Sequence, residues 1–461
     1  EAIRTPKRFS ELERELKNKS RFLITAVGQG DAVSTEALKT VKRYSEAMDA
    51  APLGVICFDP AARSFGTAID KRVVDNLHIV GGDTALNDNC YLSTIGVTMK
   101  QLIPLTGLHG IAQRNRSMIL ASPKQQLEYV ATANQSIPHA LMTTGAITLP
   151  NYATDKPMSL RTAYIATNTH VMGGLIVEIQ DDRIFHFRQI QFDAKGRFAD
   201  LGKLWSPDGV REFAPVARPG DWHTGCTDPE AKRIFLDEMV PFMGARTAFV
   251  EDVFDGYSIN HHERKSIICR ARRAASGQAG LENEVAGLAT ELRELRHYFD
   301  DIYVVKSNHD LFLERYLANG WHMQDPQNTA FASRLLMAAL RGEDPLRAGV
   351  EHINDGELDG VHWLGLNDDM RYAGVFMSAH GHLGPGGSRN PSLRTLARMY
   401  GEGTFGHNHV AGIYQGAWRT ATMSARQAYE VGPSARMHAP LWIYPNGARQ
   451  LTNIIGGKWK I

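Results

Sequence analysis

Cysteine is scarce in this chain of 461 residues: Cys57, Cys90, Cys226 and Cys269 lie far apart and form no C-x-x-C pair. That excludes a disulfide framework and a zinc finger, and it fits a reducing compartment. No run of about 18 apolar residues is present, so no membrane span or membrane partner is expected. No charged-then-apolar leader stands at the start, and a cytoplasmic protein is the expectation. Net charge is also nearly absent, at +1 from 51 basic and 50 acidic residues. Attraction of nucleic acid by the molecule as a whole is therefore not indicated, and an anionic substrate must be held by a local basic patch or bound metal. The sequence contains no internal repeat and no low-complexity tract. Its "VGQG", after the first apolar run, is too short for a dinucleotide fingerprint and reads as a turn.

What is present is ordinary globular material, 43% hydrophobic and 22% charged, with a length that suggests two or three domains. Residues 1–20, "EAIRTPKRFSELERELKNKS", read as a polar arm. "RFLITAV" and "LGVICFD" read as buried strands. Between them "STEALKTVKRYSEAMDA" has helical spacing and a Ser34 or Thr35 start signal, which gives a βαβ unit. "GGLIVEIQDDRIFHFRQIQFD" alternates on both sides of Asp181-Asp182, a β-hairpin pattern in which His186 is a sheet residue rather than a ligand. "FAPVARPGD" suggests a domain boundary near residue 215. Beyond it come strand–loop–helix units. "LENEVAGLATELRELRHYFDD" places Leu281, Val285, Leu288, Leu292 and Leu295 on one helix face. "DIYVVKSNHD" reads as a strand, followed by the helix "LFLERYLANG" with a Gly320 stop. In "LWIYPNGARQLTNII", Asn446-Gly447 signals a type I′ hairpin.

Polar residues sit where these strands end, the place where open α/β sheets bind ligands. "GDWHTG" carries Asp221 and His223. "VEDVFDG" carries Asp252 and Asp255. "VVKSNHD" carries Asn308, His309 and Asp310. "FMSAHGH" carries His380 and His382, and "GHNH" carries His407 and His409. Each alone reads as a turn, a solvated strand end or a helix cap, Asn308 being a good capping residue. As a set, mixed His, Asp and Asn side chains suit divalent Mn, Fe or Zn. A shared carboxylate can bridge two such ions.

The order D-x-H, D-x-x-D, N-H-D, H, G-H-x-H resembles the calcineurin-like metallophosphoesterase superfamily over residues 216–425. Glu251 and Ser307 stand where that pattern usually has glycine. The resemblance implies an α/β fold: a two-layered β-sandwich flanked by helices at 216–425. To this are added an N-terminal α/β domain at 21–215 and a C-terminal β-hairpin extension packed on the catalytic domain at 426–461. It implies that Asp221, His223, Asp252 and His409 hold one metal, and that Asp252 bridges to a second held by Asn308, His380 and His407. His309 would act on the scissile phosphate, oriented by Asp255. His382 lies between a supporting and a substrate-contacting role. Gly406 is expected to bend the backbone so that His407 and His409 both face the site.

Basic residues in "DGYSINHHERK", including His262, in "CRARRAASGQ", and Arg389 in "HGHLGPGGSRN" lean toward a DNA substrate. Segments such as "INHHE" and "HGHLGPGGSRN" are similar to a group of bacteriophage metallophosphoesterases that includes a host-DNA-degrading nuclease. That similarity implies a two-metal, manganese-dependent (Mn2+) DNase active in the infected cell. A phosphodiesterase or phosphatase for small esters, or a non-catalytic virion or DNA-transfer protein, are the alternatives. For the N-terminal domain, homo-oligomer formation and DNA guidance are both open.

Overall fold

The computed structural model describes Leu16 and residues 19–57, 69–114, 116–133, 137–152, 160–427 and 430–461. Most of the arm expected over 1–20 lies outside the described residues, and Leu16 is buried in the core. The chain is a mixed α/β protein, with four β-sheets among the described residues. Its four cysteines are unpaired. Among the described residues no helix is long and apolar enough to cross a membrane.

The opening βαβ unit forms as its pattern predicts. Strand Arg21–Gly28 is buried from Phe22 onward. Helix Thr35–Met48 starts at Ser34, whose hydroxyl accepts the Ala37 amide, because a short side-chain oxygen satisfies an amide left free in the first turn. Strand Ala51–Cys57 then pairs parallel to the first. The hairpin about Asp181-Asp182 adds strands Gly173–Ile179 and Phe185–Gln191 on the other side, with Phe185 opposite Ile179. His186 is buried within that strand and its Nε2 meets Gln180 Oε1 at 3.0 Å. With His78–Val80 these strands make a five-stranded sheet.

A six-stranded sheet carries the second half in the order Val361–Leu364, Asp301–Val305, Thr247–Glu251, Val216–Arg218, Leu441–Ile443, Arg449–Leu451. The first four strands are parallel and the C-terminal hairpin joins antiparallel. Its two faces follow the period of two. Ala248, Val250, Ile302, Val304 and Trp442 face a helical layer that includes Leu281, Val285, Leu288, Leu292 and Leu295 of helix Leu281–Leu295. Phe249, Val305, Leu441 and Ile443 face a second core shared with the remaining sheets. The Asn446-Gly447 turn is not type I′, because only Gly447 has positive φ, at 82°. Type I′ needs it at both central residues. Pro445 precedes Asn446, so a proline-led turn closes with the Gly447 amide on the Tyr444 carbonyl at 2.9 Å.

A ten-stranded sheet takes strands from both sides of residue 215. Thr84–Asn87, Cys90–Ser93, Ser117–Leu120, Gln126–Val130 and His139–Thr143 continue, through the pairing of Gln126–Val130 with Gly412–Tyr414, into Ala417–Arg419, Gly403–Phe405, Val375–Phe376 and Arg371–Tyr372. Val216–Arg218, from the stretch read as a boundary, lies inside the six-stranded sheet.

A buried charge network ties the chain ends together. Arg188 donates to Glu178 at 3.0 Å and to Asp200 at 2.7 Å, and Gln450 of the C-terminal hairpin donates to Asp200 at 2.9 Å. Burial opposes ionisation of Glu178, but Arg188 and Arg21 hold its carboxyl down at about 2. A carboxyl lowered from 4.5 stabilises the fold above that pH and loses the contribution as pH falls toward 2. Chemical denaturation midpoints should therefore fall between pH 4.5 and 2, and Glu178→Gln should flatten that slope while lowering the midpoint near neutrality. Arg188→Leu, which takes the arginine from buried Asp200 and leaves Glu178 only Arg21 of its two arginines, should cost about 3–5 kcal/mol. An unchanged midpoint in either variant would refute this account.

Candidate metal centre

Each expected ligand segment leaves the end of a strand. Asp221 and His223 follow Val216–Arg218, Asp252 follows Thr247–Glu251, and Asn308 and His309 follow Asp301–Val305. His380 and His382 follow Val375–Phe376, and His407 and His409 follow Gly403–Phe405. Backbone bonds lock the segments side by side. The Trp222 amide donates to Glu251 O at 3.0 Å, His223 to Asp252 O at 2.7 Å, and Gly406 to His380 O at 2.7 Å.

The side chains converge. His409 Nε2 lies 3.2 Å from Asp221 Oδ2 and 3.3 Å from His223 Nε2. Asp252 Oδ2 lies 3.7 Å from His223 Nε2 and 3.3 Å from His380 Nε2, while His380 Nε2 lies 3.0 Å from Asn308 Oδ1. Asp221, His223, Asp252, His380 and His409 are buried. Among the described residues three overlapping groups have donor atoms within 4.8 Å of one another: Asp221–His223–His409, His223–Asp252–His309 and Asp221–Glu251–His380. Each of these groups can hold a metal ion.

Three histidines share one arrangement. His223 Nδ1 faces Asp255 Oδ1 at 2.8 Å, His380 Nδ1 faces Glu251 Oε2 at 3.0 Å, and His409 Nδ1 faces Glu430 Oε1 at 2.8 Å. A carboxylate on Nδ1 fixes the ring and leaves Nε2 as the coordinating lone pair, the usual support of a metal-bound imidazole. The donor set fits a cation in a second way. Asp252 Oδ1 is buried and has no hydrogen bond among the described residues, a costly condition that a cation relieves.

The electrostatics express the same demand for positive charge. Burial works against ionised Asp252, yet His380, His309 and His223 hold its carboxyl well below the usual range. Burial likewise works against charged His380, which Asp252 and Asp221 raise well above the ordinary imidazole value. His409 is opposed by burial and raised to about 9 by Asp221 and Glu430. His382 and His407 feel burial first and then the charge on His380, and fall to about 3 and about 4.

Glu251 and Glu430 were not picked out as site residues from sequence. Glu251, noted only as a departure from glycine, is fully buried against Arg218, with contacts of 3.0 and 2.6 Å. Gly406 also has a different reason from the one expected. Its φ is not positive, but a Cβ there would meet Asp221 Oδ1 at 2.3 Å and Glu251 Oε1 at 2.5 Å. The positive φ falls on the ligands themselves. Ten non-glycine residues among those described have it, and four are His223, Asp252, His407 and His409. Such conformations cost free energy and collect at functional sites.

Other expected residues sit close by. His309 Nδ1 lies 2.6 Å from the Asp255 main-chain carbonyl. The Asp255 carboxylate, expected to orient His309, thus orients His223 instead, and the carbonyl of the same residue holds His309. His309 does not act through a capping bond, and Asn308 turns its amide to His380 rather than capping the helix Asp310–Ala318. His407 Nε2 is taken by Asn390 Oδ1 at 2.7 Å, leaving Nδ1 as its remaining donor atom. His382 is buried, with neither ring nitrogen hydrogen-bonded among the described residues, 5.4 Å from the His380 ring and 6.0 Å from that of His407. His262 and Arg389 are exposed; Phe312 lies between His262 and His309, its ring meeting both.

The fold and site define a mixed α/β protein with a buried histidine–carboxylate centre able to hold metal. Over 474 aligned residues it is 27% identical to Protein A1 of Escherichia phage T5, an alignment covering 96% of this chain and 84% of that protein. The chain is thus similar to a protein of a T5-type phage. No protein-family model matches it. No solved structure matches it.

Asp252→Asn should lose bound divalent metal, read by elemental analysis of the purified protein, whereas His309→Ala should retain it. Metal lost from His309→Ala would make His309 a ligand. Arg218→Leu takes both arginine contacts from the buried Glu251 and leaves it only His380, and should cost about 3–5 kcal/mol in denaturant titration.

Proposed function

We propose that this chain is a two-metal-dependent DNA nuclease that hydrolyses phosphodiester bonds, is phage-encoded and degrades host DNA in the cytoplasm of the infected cell. The observation that carries the reading is the set of three histidines, each with Nδ1 on a carboxylate and Nε2 turned toward buried aspartate or histidine atoms. Asp221, His223, Asp252 and His409 would hold one ion. Asp252, whose Oδ2 lies between His223 and His380, would be shared with a second held by Asn308, His380 and His407. The nitrogen and oxygen donors suit Mn2+. The helix-backed six-stranded sheet packed against a further sheet is in keeping with a metallophosphoesterase sandwich. Similarity to a phage T5 protein supports a phage origin.

When bound, the cations supply neutralisation of phosphate charge and a more acidic water. The chain supplies the rest. The Asp255 carbonyl can only accept, so the proton of neutral His309 sits on Nδ1. Its Nε2 is then the atom that, once protonated, donates to a leaving or non-bridging phosphate oxygen. The ring is held for this by stacking on Phe312 at 4.7 Å and by the edge of His223 at 4.7 Å. Arg389 and His262, both exposed, would pair with flanking phosphates.

The test is purified protein with Mn2+ on linear DNA, circular DNA and a chromogenic phosphodiester. DNA cleavage is expected, with His309→Ala slower by about 10²–10⁴-fold while metal content is kept. Rapid ester turnover without DNA cleavage would replace the nuclease with a small-ester phosphodiesterase. No turnover and no bound metal would leave a non-catalytic virion or DNA-transfer protein.

A further inference from the structure

An unbroken series of ring contacts leads from His309 to the surface. Phe312 stacks on His309 at 26°. It meets His261 edge-on at 4.7 Å and His262 at 5.9 Å. His261 and His262 lie 3.9 Å apart, and Trp321 lies nearly parallel to His261 at 6.4 Å. Two guanidinium groups are set among the rings. Arg315 Nη1 meets His261 Nε2 at 2.7 Å, and Arg264 covers the Trp321 ring at 4.8 Å. His262 is exposed, and Trp321 and Arg264 are partly so. Phe312 belongs to the helical core and Trp321 packs on its margin, but neither His261 nor His262 lies in a hydrophobic core.

This alternation is not what a core or a solvated basic surface requires. A core pairs its guanidinium groups with carboxylates, as at Arg188 and Arg218, whereas Arg315 and Arg264 meet rings, and a solvated surface has no use for stacked rings. Rings alternating with cations match a nucleic acid strand with exposed bases, because every base has a stacking face and every linkage a negative charge. Burial first, then His262 and Arg315, push His261 down to about 4. Near neutral pH its ring is therefore an uncharged stacking surface.

We infer that His262, His261 and Trp321 form a base-stacking subsite that holds an unpaired nucleotide of the DNA strand beside His309, with Arg264 on its phosphate. The inference rests on the nuclease reading above. In a paired duplex each base face is covered by its neighbours, so the subsite is served by single-stranded or frayed DNA.

The test uses the full chain with Mn2+ and single-stranded oligonucleotides, one series complete and one with a single abasic residue moved along the strand. Wild-type cleavage should slow by about 10-fold, the worth of one stacked base, when the abasic residue occupies the subsite. His262→Ala should slow cleavage of the complete strand by a similar factor and abolish the base dependence. His262→Phe, which keeps an aromatic ring and removes the ring nitrogens, should restore it. Wild-type cleavage indifferent to the abasic residue, or base dependence that survives in His262→Ala, would overturn the subsite and leave the nuclease standing. Failure of His262→Phe to restore it would also overturn the subsite, since the ring would not be the operative group. No cleavage of any DNA by the wild type would remove the nuclease reading, and the subsite with it.

Discussion

The buried pair of Arg218 and Glu251 fastens the molecule at the point where its chemistry gathers. Arg218 is wholly enclosed, and its guanidinium is fully engaged. It grips Glu251 with two nitrogens and also donates to Met377 O, Ala379 O and Thr404 Oγ1, each at 2.8 Å. Two of its partners follow strand Val375–Phe376 and one lies in Gly403–Phe405, whereas Arg218 and Glu251 end strands of the six-stranded sheet. One side chain thereby joins two sheets at their ligand-bearing ends. Buried ion pairs contribute little net stability once desolvation is counted; what this one supplies is position. Glu251, held by the arginine, holds His380 in turn, so the aim of one ligand follows from the junction of two sheets.

The left-handed backbone at His223, Asp252, His407 and His409 belongs to the same design. A strand end that continued extended would carry its next side chains outward along the sheet. A residue with positive φ reverses the chain at once and keeps the side chain over the strand ends. That conformation is unfavourable for residues with a Cβ, and the surrounding hydrogen bonds compensate, among them His223 N to Asp252 O and His407 N to Asp221 Oδ1. The close approach at Gly406 has the same origin. Two acidic side chains occupy the space that a Cβ would need.

Much of this was legible residue by residue. Apolar runs of period two and the helical spacing of Leu281 to Leu295 marked the elements, because local burial dictates local pattern. The histidines and aspartates stood out because their type is unusual at strand ends. What stayed hidden is relational. Nothing about Glu430 marks it until the fold brings it to His409, and Glu251 reads as an exception until Arg218 is opposite. Asp255 is one residue with two acceptors, and its spacing does not tell which histidine takes the carboxylate and which the carbonyl. Asn390 likewise gives no sign that it will occupy His407. The ten-stranded sheet was not legible either, since pairing between Gln126–Val130 and Gly412–Tyr414 depends on partners remote along the chain.

That last pairing bears on how the molecule is made. Synthesis proceeds from the N-terminus at about 5–20 residues per second, so Gln126–Val130 leaves the ribosome well before Gly412–Tyr414 exists. Through that interval one flank of the strand has no partner, and its unpaired amides and carbonyls are open to any other strand nearby. Several nascent copies translated from one message would present the same bare flank close together. A chain built this way depends on its last fifth to seal its first third, and its greatest hazard falls during birth rather than in the finished state.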